Sequence, residues 1–303
     1  KSRIVKMEAP GEEAGPFAGY LKGCTEKGIL FGTNDKSTRA FLYNPDNGAT
    51  RIVSFDNAEE VRNMIAGSGD EAYILTVSPG FYALYSLTPE TKKLLVRVPA
   101  SGEPQAGFSG DIPALRSGEE LCFLLGDRGF VRYSLTGNSI KQYTWQELTG
   151  NTFREDPNPA LLQDLSSLNM TVVPGGKWLF YLRAYGGFFL FDPLTEQFAR
   201  HAQLNAYVRQ MNIPGRFLVN FFQDNQQNTL VHFARNFESA LPKNSEVVAG
   251  VLWDRNGQMF DFKPVTQMAA AGRYNIAVGD CFFSRDFKKQ VLIATGGGMI
   301  AVE

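Results

Sequence analysis

The chain has 303 residues, with 30 Lys+Arg against 31 Asp+Glu, so its net charge is −1 and no basic excess is on offer to nucleic acid or an acidic membrane surface. Hydrophobic residues at 44% exclude disorder, and 30 Gly with 15 Pro fall short of a collagen-like or low-complexity bias. No apolar run approaches the roughly 20 residues needed to span a bilayer, so no membrane insertion by this segment is expected.

In chain order, Lys1–Met7 reads as a short strand. A unit then recurs: an apolar strand, a second strand ending in an aromatic or apolar residue about ten residues later, a polar turn, and a further strand. The first copy runs through 28–33, 40–48 and 51–55, the second through 72–76, 81–89 and 94–98, the third through 121–125, 129–137 and 140–143, and the fourth through 178–182, 187–193 and 197–199. A strand precedes each, over 17–21, 62–66, 112–115 and 169–173. The anchors Tyr43, Tyr85, Tyr133 and Phe191 lie 42, 48 and 58 residues apart, and Trp253 and Val302 continue the series. Turns such as Asn44-Pro45-Asp46-Asn47-Gly48 and Asp254-Arg255-Asn256-Gly257 supply Gly or Asn where hairpins need positive φ. Several strands are apolar throughout instead of alternating, as expected of sheets covered on both faces.

Four antiparallel strands per roughly 45–50 residues predict an all-β fold, a β-propeller forming one domain over 1–303. Residues 201–272 offer five strands, 207–212, 216–222, 229–235, 246–253 and 258–263, which are one blade plus an extra. Six blades are therefore favoured. The echo of 172–179 in 212–218 speaks for seven. The last copy ends after its third strand, and Lys1–Met7 is expected to supply the fourth and close the ring. One insertion, 158–168, carries a cap residue, a proline at the first helical position and leucines at helical spacing. It predicts a short helix that packs on the ring or serves as a lid.

Cys24, Cys122 and Cys281 form no disulfide framework and no CxxC pair. Cys122 and Cys281 lie in apolar runs as small hydrophobes. His201 and His232 are not at ligand spacing, so no metal site, cofactor or catalytic residue is expected. Gly296-Gly297-Gly298 lacks the spacing of a phosphate loop. The single sequon, Asn169-Met170-Thr171, assigns no compartment, and the chain opens on Lys1, which fits a processed form that has lost a signal peptide.

Propellers bind ligands on the loops between blades and between the second and third strand of each blade. The second-to-third-strand loops here bring Asp35, Lys36, Asp127, Arg128, Arg183 and Tyr185 toward one face. Arginine and carboxylate beside an aromatic suit a small polar ligand, a sugar or a peptide. Arg62, Arg116 and Arg209, on or beside expected innermost strands, either line the channel or pair with nearby carboxylates.

The copies Gly187–Phe198, Gly129–Tyr143 and Val291–Val302 resemble the propeller repeats in the periplasmic sensor halves of bacterial two-component regulators. That resemblance implies extracytoplasmic sensing of a carbohydrate or metabolite. Taken with the blade repeats and only two histidines, it favours a non-catalytic, periplasmic or extracellular module that senses a small polar ligand or docks another protein. The other reading from the residues is a propeller hydrolase, lyase or lactonase with its active site at the channel mouth. A WD40 ring would repeat its Trp-Asp pair, whereas Trp253-Asp254 stands alone.

Overall fold

Short runs of β-branched and aromatic residues, broken by Gly, Asn and Asp turns, fold here into antiparallel meanders. The computed structural model of the chain describes residues 19–34, 38–56, 59–100, 111–125, 128–150, 168–182, 185, 187–211, 217–223, 228–235, 247–262, 278–283, 290–294 and 299–302. The chain divides into two compact units. One comprises Lys1–Leu125 with Gly129–Tyr143, and the other Gly126–Arg128 with Thr144–Glu303.

Among its described residues the first unit holds three four-stranded sheets, each paired in sequence order. They are β1 (Gly19–Cys24) to β4 (Thr50–Ser54) through β2 (Leu30–Asn34) and β3 (Arg39–Tyr43); β5 (Glu60–Ala66) to β8 (Lys92–Pro99) through β6 (Ala72–Ser78) and β7 (Phe81–Leu87); and β9 (Ala114–Ser117) to β12 (Ser139–Thr144) through β10 (Glu120–Leu124) and β11 (Gly129–Ser134). The pleat explains why these strands are apolar throughout. Ala83, Tyr85 and Leu87 of β7 share a core with Phe31, Ala40 and Leu42 of the first sheet. Leu84, on the opposite face, packs with Leu121 and Tyr133 of the third sheet. Both faces of the middle sheet are thus covered, and period-two alternation disappears. The outer strands β8 and β12 are mostly exposed and carry lysines, which discourages edge pairing.

The second unit holds two four-stranded sheets and one of three strands among the described residues. These are β13 (Leu168–Val172), β14 (Trp178–Leu182), β15 (Gly187–Asp192) and β16 (Gln197–Arg200); β17 (Phe217–Gln223), β18 (Thr229–Arg235), β19 (Val247–Trp253) and β20 (Met259–Phe262); and β21 (Val278–Phe283), β22 (Gln290–Ala294) and β23 (Met299–Val302). All five residues of β14 are buried. The anchors Tyr43, Tyr85, Tyr133, Phe191, Trp253 and Val302 each end or lie near the end of the third strand of their sheet, as their recurrence implied.

Two helices are described, α1 (Trp145–Thr149) and α2 (Ala202–Met211). The second corrects the expected strand at 207–212. Leu204, Tyr207 and Val208 stand at i, i+3 and i+4, the helical spacing, and all three pack into a core shared by β14, β15 and the β17–β20 sheet. The β-propensity of Tyr207 and Val208 yields to that packing. The five strands expected over 201–272 are therefore four and a helix, and Arg209 lies on α2, not on a strand. The 172–179 echo equates unlike strands: Trp178 opens the second strand of its sheet, whereas Phe217 opens a first strand. Lys1–Met7 lies outside the described residues, as does the expected helix at 158–168 except for its last residue, Leu168, which opens β13. No helix among the described residues is long and apolar enough to cross a membrane.

A helix-to-strand joint holds α2 in place. The Asn205 side chain, on α2, acts as a missing strand residue. Its Oδ1 accepts from Phe188 N at 2.9 Å, and its Nδ2 donates to Phe188 O at 2.8 Å and His201 O at 2.9 Å. Gly187 makes room for it. A Cβ there would lie 1.8 Å from Asn205 Oδ1, and the backbone φ is +135°. His201 caps the helix, its Nδ1 accepting from Leu204 N at 3.2 Å, so the proton of the neutral ring sits on Nε2.

Candidate ligand-binding site

The connection from β4 to β5 turns on itself, with Glu59 N–H donating to Asp56 O at 2.8 Å. The turn delivers the Glu59 side chain, 1% exposed, onto the end of the β5–β8 sheet. Thr76 Oγ1 donates to its Oε2 at 2.8 Å, and the Tyr85 hydroxyl lies 3.0 and 2.9 Å from its two oxygens. Arg97 Nη2 approaches Oε1 at 3.4 Å. A carboxylate out of water must be hydrogen-bonded, and three side chains do this here. Burial first, and then the bond to Glu59, raise the Tyr85 pKa above its ordinary value, so Tyr85 stays a neutral donor.

Register puts these groups on one face. Thr76 pairs with Ala83, which pairs with Arg97, and Ser78 pairs with Phe81. The Ser78 hydroxyl is buried and finds no hydrogen-bond partner among the described residues. The Arg97 guanidinium lies 4.6 Å above the Phe81 ring, and its side chain is 47% exposed. Asp56 Oδ2, at the surface, is 3.9 Å from Arg97 Nη2. Below, Phe55 meets Tyr85 edge-on at 5.2 Å, and Lys92 Nζ sits 5.1 Å over Phe55 and 5.6 Å over Tyr85. The result is a planar guanidinium backed by a ring, steadied from behind by a buried carboxylate, with an outer edge open to solvent. The Glu59 oxygens are taken up by Thr76, Tyr85 and Arg97, so that carboxylate serves to orient Arg97.

In the second unit a related arrangement surrounds Trp145, which is fully buried at the start of α1. Thr144 and Glu147 form a reciprocal capping box, and Gly150 ends the turn in the left-handed conformation. Trp145 N donates to Arg128 O at 2.9 Å. The indole lies against Phe180 (5.7 Å), Phe198 (6.1 Å) and Tyr185 (6.4 Å between centroids). Arg200 Nη2 donates to Tyr185 O at 2.8 Å, and its guanidinium lies 5.5 Å over Phe189. Trp145 thereby joins two residues expected at the ligand face, Arg128 and Tyr185.

The other expected residues, Asp35, Lys36, Asp127 and Arg183, lie outside the described residues. Arg62 pairs with Glu60 at 2.6 Å and Arg116 with Glu26 at 3.7 Å, the pairing alternative for both. Among the described residues no group of three or more His, Cys, Asp or Glu could hold a metal. Glu59 and Arg97 escaped the sequence reading. Glu59 sits in a loop between sheets, which belongs to the same end of a blade as the second-to-third-strand loops, so that signal was present. Arg97 lies on an outer strand, between Val96 and Val98, and only the sheet register brings it to Phe81 and Glu59. The Thr144-x-x-Glu147 spacing likewise marked α1.

No family model matches the chain, and no curated protein matches its sequence. In structure it is similar to virginiamycin B lyase from Staphylococcus aureus, with TM-score 0.52, 10% identity, and coverage of 95% of this chain and 84% of that one. It is also similar to the extracellular domains of a candidate hybrid two-component system (TM-score 0.50, 13% identity) and a candidate one-component system (TM-score 0.50, 11% identity) from B. thetaiotaomicron. These matches cover 98% and 95% of this chain, which spans only 35% and 32% of those two. At such identities the likeness is one of fold: an all-β, propeller-type arrangement of four-stranded antiparallel sheets, shared by an enzyme and by extracellular domains of signalling systems.

Proposed function

We propose that the chain is a non-catalytic recognition propeller acting outside the cytoplasm, in a sensor or interaction role, and that it binds a small polar ligand at Arg97. Six blades closed by the N-terminal segment are the architecture this reading assumes, in keeping with six sheets of which the last has three described strands. The observation that carries the reading is the half-exposed Arg97 guanidinium held between Phe81 and the buried Glu59. Its positive charge is offset by Glu59 and Asp56, so the site favours a hydroxyl- or amide-rich ligand, a saccharide or a peptide, over a bare anion. The extracellular domains of signalling systems with a similar fold support a sensing role.

Isothermal titration against mono- and oligosaccharides and short peptides tests this. Arg97→Ala should weaken any hit at least about tenfold, or 1.4 kcal/mol, with the melting transition retained. An unaffected hit places the site elsewhere. The lyase-type alternative rests on the likeness in fold to virginiamycin B lyase. Mass-spectrometric detection of a product from any bound compound would replace the recognition reading with the enzymatic one.

A further inference from the structure

At the opposite end of the first two sheets, away from Glu59, a cavity of about 410 Å³ opens between their turns, within the range of small-molecule pockets. Its floor is apolar, formed by Ile29 and Leu42, which are 5% and 2% exposed. Both of its rims are fixed by their own hydrogen bonds. In the β3–β4 turn, Asn44 Oδ1 accepts from Asp46 N and Asn47 Oδ1 from Ala49 N, each at 2.9 Å. In the β7–β8 turn, Thr88 Oγ1 accepts from Thr91 N at 3.0 Å and Glu90 N at 3.3 Å. The two sheets are tied together on both sides of the opening. Arg51 Nη1 donates to Thr88 O at 2.8 Å, and on the other side Lys27 N donates to Gly69 O at 2.9 Å. Walls already held in place spare a ligand the entropic cost of ordering them.

The wall chemistry selects the ligand. Two cations, Lys27 and Arg51, and three carboxylates, Asp46, Asp70 and Glu90, line one small space. No described aromatic ring lines it, so it has no platform on which a sugar would stack. A single-signed ligand would meet its own charge on the wall. We infer that this cavity is a second binding site, separate from Arg97, for a small zwitterion, a free amino acid or a dipeptide. Its ammonium group goes to the carboxylates, its carboxylate to Lys27 and Arg51, and its side chain to the Ile29–Leu42 floor.

Titration calorimetry with a panel of amino acids and with alanyl-alanine tests this on the full chain. At least one zwitterion should bind with Kd of about 1 mM or tighter. N-acetyl-alanyl-alanine amide, which keeps the shape without the charges, should bind at least tenfold more weakly. Lys27→Gln, at an exposed residue, and Asp70→Asn, at a half-buried one, should each weaken the zwitterion at least fivefold. No saturable binding across the panel overturns the inference. So does equal binding of the blocked dipeptide, or indifference to both substitutions. Zwitterion binding should be unchanged in Arg97→Ala, and its loss there would overturn the second site; loss of saccharide binding in Arg97→Ala bears on the Arg97 reading alone, so the two sites fail independently.

Discussion

Asn205→Ala probes how one carboxamide fastens α2 to β15. In the parent, Asn205 makes three hydrogen bonds of 2.8–2.9 Å, two of them to the backbone of Phe188. Truncation leaves the Phe188 N–H without its acceptor next to a fully buried ring. An unsatisfied buried donor costs about 1–3 kcal/mol, and the two lost donations add about 1 kcal/mol, for a total near 3 kcal/mol. For a chain of this size that is about 6 °C in Tm, at roughly 2 °C per kcal/mol. Hydrogen exchange should show the Phe188 amide exposed, and scanning calorimetry the shift in Tm. Asn205→Asp keeps an acceptor but removes the donors and buries a charge. It should be at least as damaging at neutral pH and recover as acid protonates the carboxyl, whose O–H can then donate to Phe188 O. Gly187→Ala completes a double-mutant cycle. Its Cβ strikes Asn205 Oδ1 at 1.8 Å, so it should cost markedly less in the Asn205→Ala background, the remainder reflecting its φ of +135°. A Tm within 1 °C of the parent for Asn205→Ala, with unchanged exchange at Phe188, would refute the pairing.

Other outcomes follow from the same physics. Glu59→Ala strands the Tyr85 hydroxyl and leaves Thr76 Oγ1 only its 3.4 Å contact with Ala83 O, and should cost about 3 kcal/mol in chemical denaturation, with Glu59→Gln losing less. Ser78→Ala removes a buried hydroxyl that has no partner among the described residues, and should raise stability by about 1 kcal/mol by the same assay; a loss would mean the hydroxyl has a role in the fold. His232 is buried in β18, and burial lowers its pKa from 6.5 to about 4. The unfolded chain therefore takes up a proton there before the folded one does. Stability should fall as pH drops from 6.5 toward 4, by up to about 3 kcal/mol from this group. A His232→Phe variant should show a correspondingly shallower decline, and parallel curves for the two proteins would count against a neutral buried imidazole.

Strand composition and turn spacing were enough to set the all-β class and the succession of four-stranded antiparallel sheets. The meanders of the first four sheets follow the 42- to 58-residue recurrence of Tyr43, Tyr85, Tyr133 and Phe191, because each third strand ends at a short polar turn, Asn44–Gly48, Thr88–Thr91, Thr136–Asn138 or Pro193–Glu196, that reverses the chain. Such local rules act within a few residues and so remain visible along the sequence. The α2 helix escaped them. Tyr207 and Val208 favour a strand intrinsically, and the decision fell to packing against Val219, Phe233 and Trp253, residues that become neighbours only in the folded unit. The candidate site divides in the same way. The loops that bear it were legible from connectivity, whereas the meeting of Glu59, Thr76, Tyr85 and Arg97 depends on register across three strands and on a loop folding back over them. Pairing energies between distant residues leave no periodic trace in the chain, so only the tertiary structure reveals which carboxylate is buried and which arginine it holds.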